Sequence, residues 1–214
     1  MGFQVFTTVV ALATSYDLTT IDSVKDELSI TTNVSDSILK RYISSASAAA
    51  SQYCNRVFAA EGVSDQFLPV PDPSFVIFAG RIQPLQLTRW PVITLTSVTE
   101  NGILLVYGTD YTADLLAGAV SRLDPNGNPT SWRSYPIIIL YTAGYYPIPL
   151  DVDDAIVRMV TRRFASKGRD PNLKQQNVPG ILEQSWWIAT GTESGNMSPD
   201  ITDILDNYRV PLVA

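Results

Sequence analysis

Histidine is absent from this 214-residue sequence, and cysteine occurs once, at Cys54. The missing imidazole removes the commonest general base and metal ligand, together with every nucleophile that a histidine activates. One cysteine can form neither an intramolecular disulfide nor a thiolate zinc site. Phosphate-binding motifs of the GxGxxG and GxxxxGK[ST] types are missing as well. The sequence therefore argues against an enzyme, and we expect neither a cofactor nor a metal ion.

Charge is also scarce, and most of it is negative. Charged residues make up 17% of the chain, and 21 acidic against 15 basic residues give a net charge of −6. A negative field does not attract a phosphate backbone, so general DNA binding is not expected. Basic residues cluster between Arg158 and Lys174, where a solvated or interfacial helix face is a more economical interpretation than a nucleic-acid stripe.

The N-terminal stretch, residues 1–14, is apolar but lacks the basic start of a secretory signal. Thr7 and Thr8 interrupt it, and it is too short to span a bilayer, so no membrane association is expected. We interpret the stretch as an extended arm or an edge strand, with a terminus that packs only locally as the alternative.

Helical spacing marks two segments before residue 58. Thr19 is the expected N-cap of the first helix, whose apolar face carries Ile21, Val24 and Leu28. Ser35 is the expected N-cap of a longer helix over residues 36–56. Alanine and serine make the surface of this second helix slim, and Cys54 near its end is expected to be a small buried residue rather than a reactive thiol.

Two more helices are predicted in the last third of the chain. One follows Pro149, with Asp151 in its first turn and arginines in its later turns, the order that the helix dipole favours. The other is a short helix over residues 199–209, with Pro199 at its first position after Ser198.

Residues 58–146 contain short β-prone runs punctuated by proline and glycine. In residues 93–98, Ile93, Leu95 and Ser97 alternate with Thr94, Thr96 and Val98, which is typical of a strand. Asn101-Gly102 predicts a tight hairpin, and DPNGNP at 124–129 predicts a turn-rich loop. This region is expected to be an antiparallel sandwich or open barrel.

The expected fold class is α+β: a small bundle of about three helices with an inserted antiparallel β domain and extended terminal arms. The predicted boundaries are 1–17 for an N-terminal arm, 18–57 and 147–175 for the helical core, 58–146 for the β domain, and 176–214 for a C-terminal tail with a short helix.

The tail holds the candidate partner-binding residues. Two adjoining indoles in a polar segment would be sticky if exposed, so the tail is expected to dock, either on its own domain or on a partner. The short helix has apolar side chains at the spacing of a helix that binds in a groove. The candidates are Trp186, Trp187, Ile201, Ile204, Leu205 and Tyr208.

Two groups of carboxylates were weighed as catalytic or cation-binding sites: Asp151, Asp153 and Asp154, and Asp110 with Asp114. The first group lies where a helix start favours negative charge, so capping is the better interpretation. No calcium-loop motif is present. A carboxylate glycosidase is therefore the weakest alternative.

Four stretches together resemble a known family. LTTIDSVKDELSI at 18–30 and VSDSILKRYISSASAAASQYCNRVF at 34–58 are similar to the opening helices of the phage head–tail connector family, also called adaptor or head-completion proteins. WPVITLTSVTENGILLVYGTDYTAD at 90–114 resembles its β segment, and IIILYTAGYYPIPLDVDDAIVRMV at 137–160 its closing strand and helix. The resemblance covers about residues 18–167, and the N-terminal arm and the tail fall outside it.

The resemblance implies a virion structural protein, not an enzyme, that forms a ring, usually dodecameric, under the portal vertex. The implied partners are other copies of the chain, the portal protein, and the next neck or tail protein, a stopper or tail terminator. DNA would pass through the channel without specific binding. The implied location is the head–tail junction of the virion, with the host cytoplasm during assembly. The alternative is a phage accessory protein that binds a receptor or carbohydrate through its β domain.

Overall fold

The computed structural model describes residues 2–70, 84–167, 175–178, 182–185 and 197–211. The chain divides into two compact units. We call Met1–Ser15 with Val57–Pro147 the β unit, and Tyr16–Arg56 with Ile148–Ala214 the helical unit. The described residues form four α-helices and antiparallel strand pairs. The fold class is therefore α+β, as predicted.

The β unit contains a five-stranded antiparallel sheet in the order β1-β2-β9-β4-β5. Its strands are β1 (Gly2–Ala11), β2 (Glu61–Val70), β4 (Val92–Glu100), β5 (Ile103–Leu104) and β9 (Ile137–Ala143). A second sheet has the order β3-β7-β6, with β8 paired to β7. Its strands are β3 (Leu85–Gln86), β6 (Tyr111–Asp114), β7 (Ala119–Leu123) and β8 (Pro129–Thr130). One buried apolar cluster includes residues of both sheets, among them Phe67, Val120 and Ile139.

Both predicted turns of the β unit are present. Asn101 and Gly102 have φ angles of 50° and 80° and connect β4 to β5, as a two-residue hairpin turn requires. In the loop between β7 and β8, the Asp124 carboxylate accepts from the backbone N–H groups of Asn126 and Asn128 at 2.8 and 2.9 Å. Local turn chemistry thus closes both hairpins.

The side-chain alternation predicted within β4 is interrupted by bulges. The register with β9 shifts between Val92 and Thr94 and again between Leu95 and Ser97. Val92, Val98 and Glu100 are the buried positions of β4, and Ile93 is 38% exposed. An extra residue at a bulge changes which side chains face the core, and a strict period of two does not anticipate it.

The N-terminal stretch is an edge strand, one of the two forms expected for it. β1 pairs with β2 from Gly2 opposite Val70 to Ala11 opposite Gly62. Phe3 packs edge-on against Phe67, with ring centroids 6.2 Å apart. The Thr7 hydroxyl donates to the carboxylate of Asp65 on β2 at 2.7 Å. The strand is therefore held by both apolar and polar contacts.

Among the described residues of the β unit, three carboxylates are buried: Glu61, Asp65 and Glu100. Glu61 forms an ion pair with Arg89. Burial alone would raise the pKa of Glu100, but hydrogen bonds from the backbone of Arg133 and Ser134 and from the Arg122 guanidinium hold that pKa below its usual value. The charges of Glu61 and Glu100 are thereby compensated within the fold.

The helical unit contains α1 (Ile21–Glu27), α2 (Asp36–Tyr53), α3 (Leu150–Ala165) and α4 (Pro199–Leu205), the last followed by a 3-10 turn, Asp206–Tyr208. The predicted N-cap of α1 is wrong. Thr20, not Thr19, accepts from the backbone N–H of Ser23, at 3.1 Å, while Thr19 is buried. Ser35 is the N-cap residue of α2, which ends at Tyr53 rather than at residue 56.

A short antiparallel hairpin, β10 (Gln175–Val178) with β11 (Leu182–Ser185), lies in sequence between α3 and α4. Trp186 and Trp187, and the part of the basic cluster beyond Lys167, lie outside the described residues. Among the helices that the structure describes, none has the length and apolar character needed to cross a membrane.

Candidate functional site

Helix α4, which carries three of the candidate partner residues, packs into the helical unit, and a fourth, Tyr208, lies in the 3-10 turn that follows it. Ile201 is 2% exposed and Leu205 is fully buried. The Cys54 thiol at the end of α2 donates to the Leu205 carbonyl oxygen at 3.4 Å, and burial raises the pKa of this thiol to about 11. Cys54 is thus a buried residue, as predicted, and a poor nucleophile.

An ion pair fixes the start of α4 against α3. The Arg162 guanidinium donates to both carboxylate oxygens of Asp200, at 3.0 and 2.5 Å, and also contacts the Ser198 hydroxyl. Hydrogen bonds from Arg162 and Ser198 hold the pKa of Asp200 well below its usual range. Because both groups are largely exposed, the pair orients α4 more than it stabilises the fold.

The end of α4 is fixed by three further contacts. The Tyr208 hydroxyl donates to the Asp151 carboxylate at 2.8 Å, and the Tyr53 hydroxyl donates to Asp206 at 2.7 Å. The Asp206 hydrogen bond and burial raise the pKa of Tyr53. The Val210 N–H donates to the Cys54 carbonyl oxygen at 2.9 Å. The tail helix therefore contacts both α2 and α3.

The structure separates the predicted partner residues into two groups. Ile201 and Leu205 point into the helical unit, because the groove that this short helix fills belongs to its own chain. Ile204 and Tyr208 are only half-buried. With Trp186 and Trp187 outside the described residues, the prediction of a partner contact now depends on Ile204 and Tyr208.

The basic residues of α3 have partners inside the helical unit. Arg158 pairs with Asp154 at 2.6 Å, and Arg162 pairs with Asp200. The Arg163 guanidinium lies 4.3 Å from the ring centroid of Tyr42 and donates to Ser45. These internal contacts agree with the interpretation of a structural helix face rather than a stripe that binds nucleic acid.

Several of the carboxylates considered above as catalytic groups or cation ligands accept local hydrogen bonds that stabilise the fold. Asp110 accepts from the Val106 N–H at 2.9 Å, and Asp114 accepts from the N–H groups of Leu116 and Ala117, each at 3.0 Å. Asp151 accepts from the N–H of Val152 and from Tyr208. Within the described ranges, no group of three or more acidic or cysteine side chains is arranged to hold a metal ion.

One exposed feature of the β unit was missed at the level of sequence. Four side chains at and just after β5 are each more than half exposed: Ile103, Leu104, Val106 and Tyr107. From the sequence alone, this segment is predicted only to be β-prone. Its signal was the absence of any charged residue between Asn101 and Asp110, which is unusual for a segment at a sheet edge.

The comparisons with known proteins bear on the helices and on the whole fold. Residues 18–77 match the phage gp6-like head-tail connector family. The resemblance stated from the sequence is thereby confirmed. The match includes α1, α2 and β2, which are elements of both units. No curated protein matches the chain.

Solved structures of similar fold exist in a virus-like particle. A chain in the neck of an empty gene transfer agent (GTA) particle aligns over 98% of this chain and 97% of its own, with a TM-score of 0.55 and 13% identity. A chain in the virion of a native gene transfer agent particle aligns over the same shares, with a TM-score of 0.48 and 13% identity. The likeness to the neck chain shows that the two chains share a fold over nearly their full lengths.

Proposed function

We propose that this protein is a structural component of a virion neck, where it acts as an adaptor ring under the portal vertex, extends the DNA channel and joins the head to the tail. The match of residues 18–77 to the head–tail connector family carries the proposal. The fold shared with a chain of a gene transfer agent neck supports it. The role is structural rather than catalytic.

The finer parts of the proposal concern the ring and its partners. A closed ring needs two different surfaces on each copy, and we propose a dodecamer that contacts the portal protein on one side and a stopper or tail terminator on the other. The helices α1, α2 and α3 would form the bundle of each copy, with the β domain inserted into it. Assembly would take place in the host cytoplasm.

The net negative charge and the paired arginines of α3 support the proposal that DNA passes through the channel without specific binding. The chain carries a net charge of −6, and the arginines of α3 are engaged by Asp154, Asp200 and Tyr42. A channel wall of this character repels a phosphate backbone, which lets the genome slide.

Gold-labelled antibodies on particles of the source virus test the location. We expect label at the head–tail junction. Label at the tail tip or fibres would contradict the proposal and favour the alternative of receptor or carbohydrate binding. To exclude a buried epitope as the cause of missing label, particles are also opened at the neck and their components identified by mass spectrometry.

The exposed side of α4 is proposed to contact the portal protein or a neighbouring copy through Ile204 and Tyr208. Ile204→Lys places a charge in that contact and is expected to reduce co-purification with portal protein by about tenfold or more. Asn207→Lys adds the same charge at an exposed position of the adjoining turn and serves as the matched control. Equal co-purification of both variants, with unchanged circular dichroism, would remove α4 from the interface.

A further inference from the structure

The outer edge of β1 has no strand partner among the described residues. β1 has ten residues with no charged side chain and no proline, and in the described part of the chain its one strand partner is β2. Phe6 is 47% exposed and Val10 is 57% exposed. Natural edge strands of this length are normally protected by lysine, proline or a covering segment, because unpaired N–H and C=O groups attract another strand.

The opposite edge of the same sheet has a similar character. β5 is the last strand beyond β4, and exposed apolar side chains continue after it. Ile103 and Leu104 are 68% and 65% exposed, and Val106 and Tyr107 are 59% and 63% exposed. Leu105 between them is buried, so the exposed surface consists of two adjacent apolar pairs, and an apolar patch at an edge marks an interaction site.

From these two edges we propose that the five-stranded sheet supplies the interface between neighbouring copies, with β1 of one copy docked along residues 103–107 of the next. The inference rests on the proposed ring. In a ring every copy must present two different, mutually complementary surfaces to its two neighbours. Two uncharged edges at opposite sides of one sheet meet this requirement, which makes a second copy of this chain the occupant.

Strand direction defines the form of the junction. All four pairings in the sheet are antiparallel, so β1 and β5 run in the same direction. A sheet continued from one copy to the next therefore has a parallel pair at the junction, limited to β5, because the Val106 N–H donates to Asp110 and the Val106 carbonyl accepts from the N–H groups of Thr109 and Asp110. Parallel pairing is slightly weaker per residue than antiparallel pairing, and burial of Phe6, Val10, Val106 and Tyr107 adds the apolar contribution.

A different pairing would produce a different assembly. Antiparallel pairing of β1 with β1 of another copy is a twofold contact, which closes a dimer and stops there. It would also leave residues 103–107 uncovered. The head-to-tail and twofold arrangements are therefore distinguishable by which cysteine positions can be joined.

Thiol crosslinking tests the interface directly. Thr8→Cys and Thr109→Cys place exposed thiols beside the two edges while leaving every apolar side chain in place, and the native Cys54 is buried. A short bismaleimide is added to the purified protein at high concentration and to purified particles. We expect a ladder of oligomers from the double variant, dimers from a mixture of the two single variants, and monomers from either single variant alone.

Substitution of the apolar side chains provides the matched controls. Phe6→Lys or Val106→Lys in the double-cysteine chain is expected to abolish the ladder, while Val34→Lys, at an 88% exposed position of the helical unit, leaves it intact. Dimers from Thr8→Cys alone would overturn the proposal in favour of twofold pairing, and absence of a ladder in both samples would also overturn it. Label at the neck without a ladder refutes only this interface. A ladder without label at the neck refutes only the proposed function.

Discussion

Replacing Asp65 by alanine is expected to lower the free energy of unfolding by about 1–3 kcal/mol, since it leaves a buried hydrogen-bond donor without its acceptor. Asp65 is fully buried on β2. Its carboxylate accepts from the Tyr141 hydroxyl at 2.7 Å, from the Thr88 N–H at 2.9 Å and from the Thr7 hydroxyl at 2.7 Å. Alanine would leave the buried Tyr141 hydroxyl without this acceptor, whereas Thr7 and Thr88 are exposed residues that water can reach.

The size of the effect follows from where the donors lie. Tyr141 is on β9, Thr88 follows β3, and Thr7 is on β1, so one carboxylate joins two sheet neighbours of β2 and a segment of the second sheet. Burial raises the pKa of the Tyr141 phenol, which keeps its proton available for donation to Asp65. A loss of about 1–3 kcal/mol is substantial beside the about 5–15 kcal/mol that stabilises a typical domain.

Urea unfolding measures the loss, and hydrogen exchange locates it. In Asp65→Ala we expect a lower midpoint and loss of amide protection in β1, β2 and β9, with α2 and α3 much less affected. Asp114→Ala is the matched control, because Asp114 also accepts from two backbone N–H groups but is exposed. An equal shift for both variants would show that burial of Asp65 is not what makes it important.

Local sequence signals predicted the elements that local chemistry determines. The apolar spacing of α2 and α3, the aspartate in the first turn of α3 and the Asn101-Gly102 turn are all present, and Ser35 and Ser198 occupy the N-cap positions of α2 and α4, although neither side chain makes a capping hydrogen bond. Each depends on residues within a few positions of one another. The misplaced cap of α1 shows the limit of this approach. Thr19 and Thr20 are both suitable residues, and burial of Thr19 decides between them.

The pairing of strands that are distant in sequence could not be predicted from local sequence signals. β1 pairs with β2 although α1 and α2 lie between them in sequence, and no local pattern specifies that partner. Asp65 gives no sign in the sequence that it will be buried, because its three donors come from residues 7, 88 and 141. The bulges of β4 likewise depend on its pairing with β9.

The candidate partner residues show the same contrast between a local element, which the sequence predicts, and its long-range contacts, which it does not. Helical spacing correctly placed Ile201 and Leu205 on one side of a short helix, but it could not tell an intramolecular groove from a partner's groove. The structure shows both residues buried within the chain. A surface that binds a partner must consist of side chains that remain exposed after folding. The candidates are Ile204, Tyr208 and the two edges of the five-stranded sheet.

Replacing Leu205 by alanine is the second substitution for which we expect a large effect, a loss of about 2–5 kcal/mol in the free energy of unfolding. The Leu205 side chain is fully buried, and the contacts on either side of it, from Cys54 to its carbonyl and from Arg162 to Asp200, hold the helix in place. The surrounding residues therefore cannot easily collapse into the space that the substitution opens.

Ile204→Ala provides the comparison for Leu205→Ala, because the neighbouring residue is also aliphatic but only half-buried. We expect about 1 kcal/mol or less for Ile204→Ala in urea unfolding, since partial burial contributes in proportion to the apolar area removed from water. Similar losses for both variants would mean that α4 does not dock as described. A large loss for Leu205→Ala alone would show that the tail helix is part of the core of the helical unit. Deletion of the tail would then disturb that core, and only substitutions on its exposed side would report on partner binding.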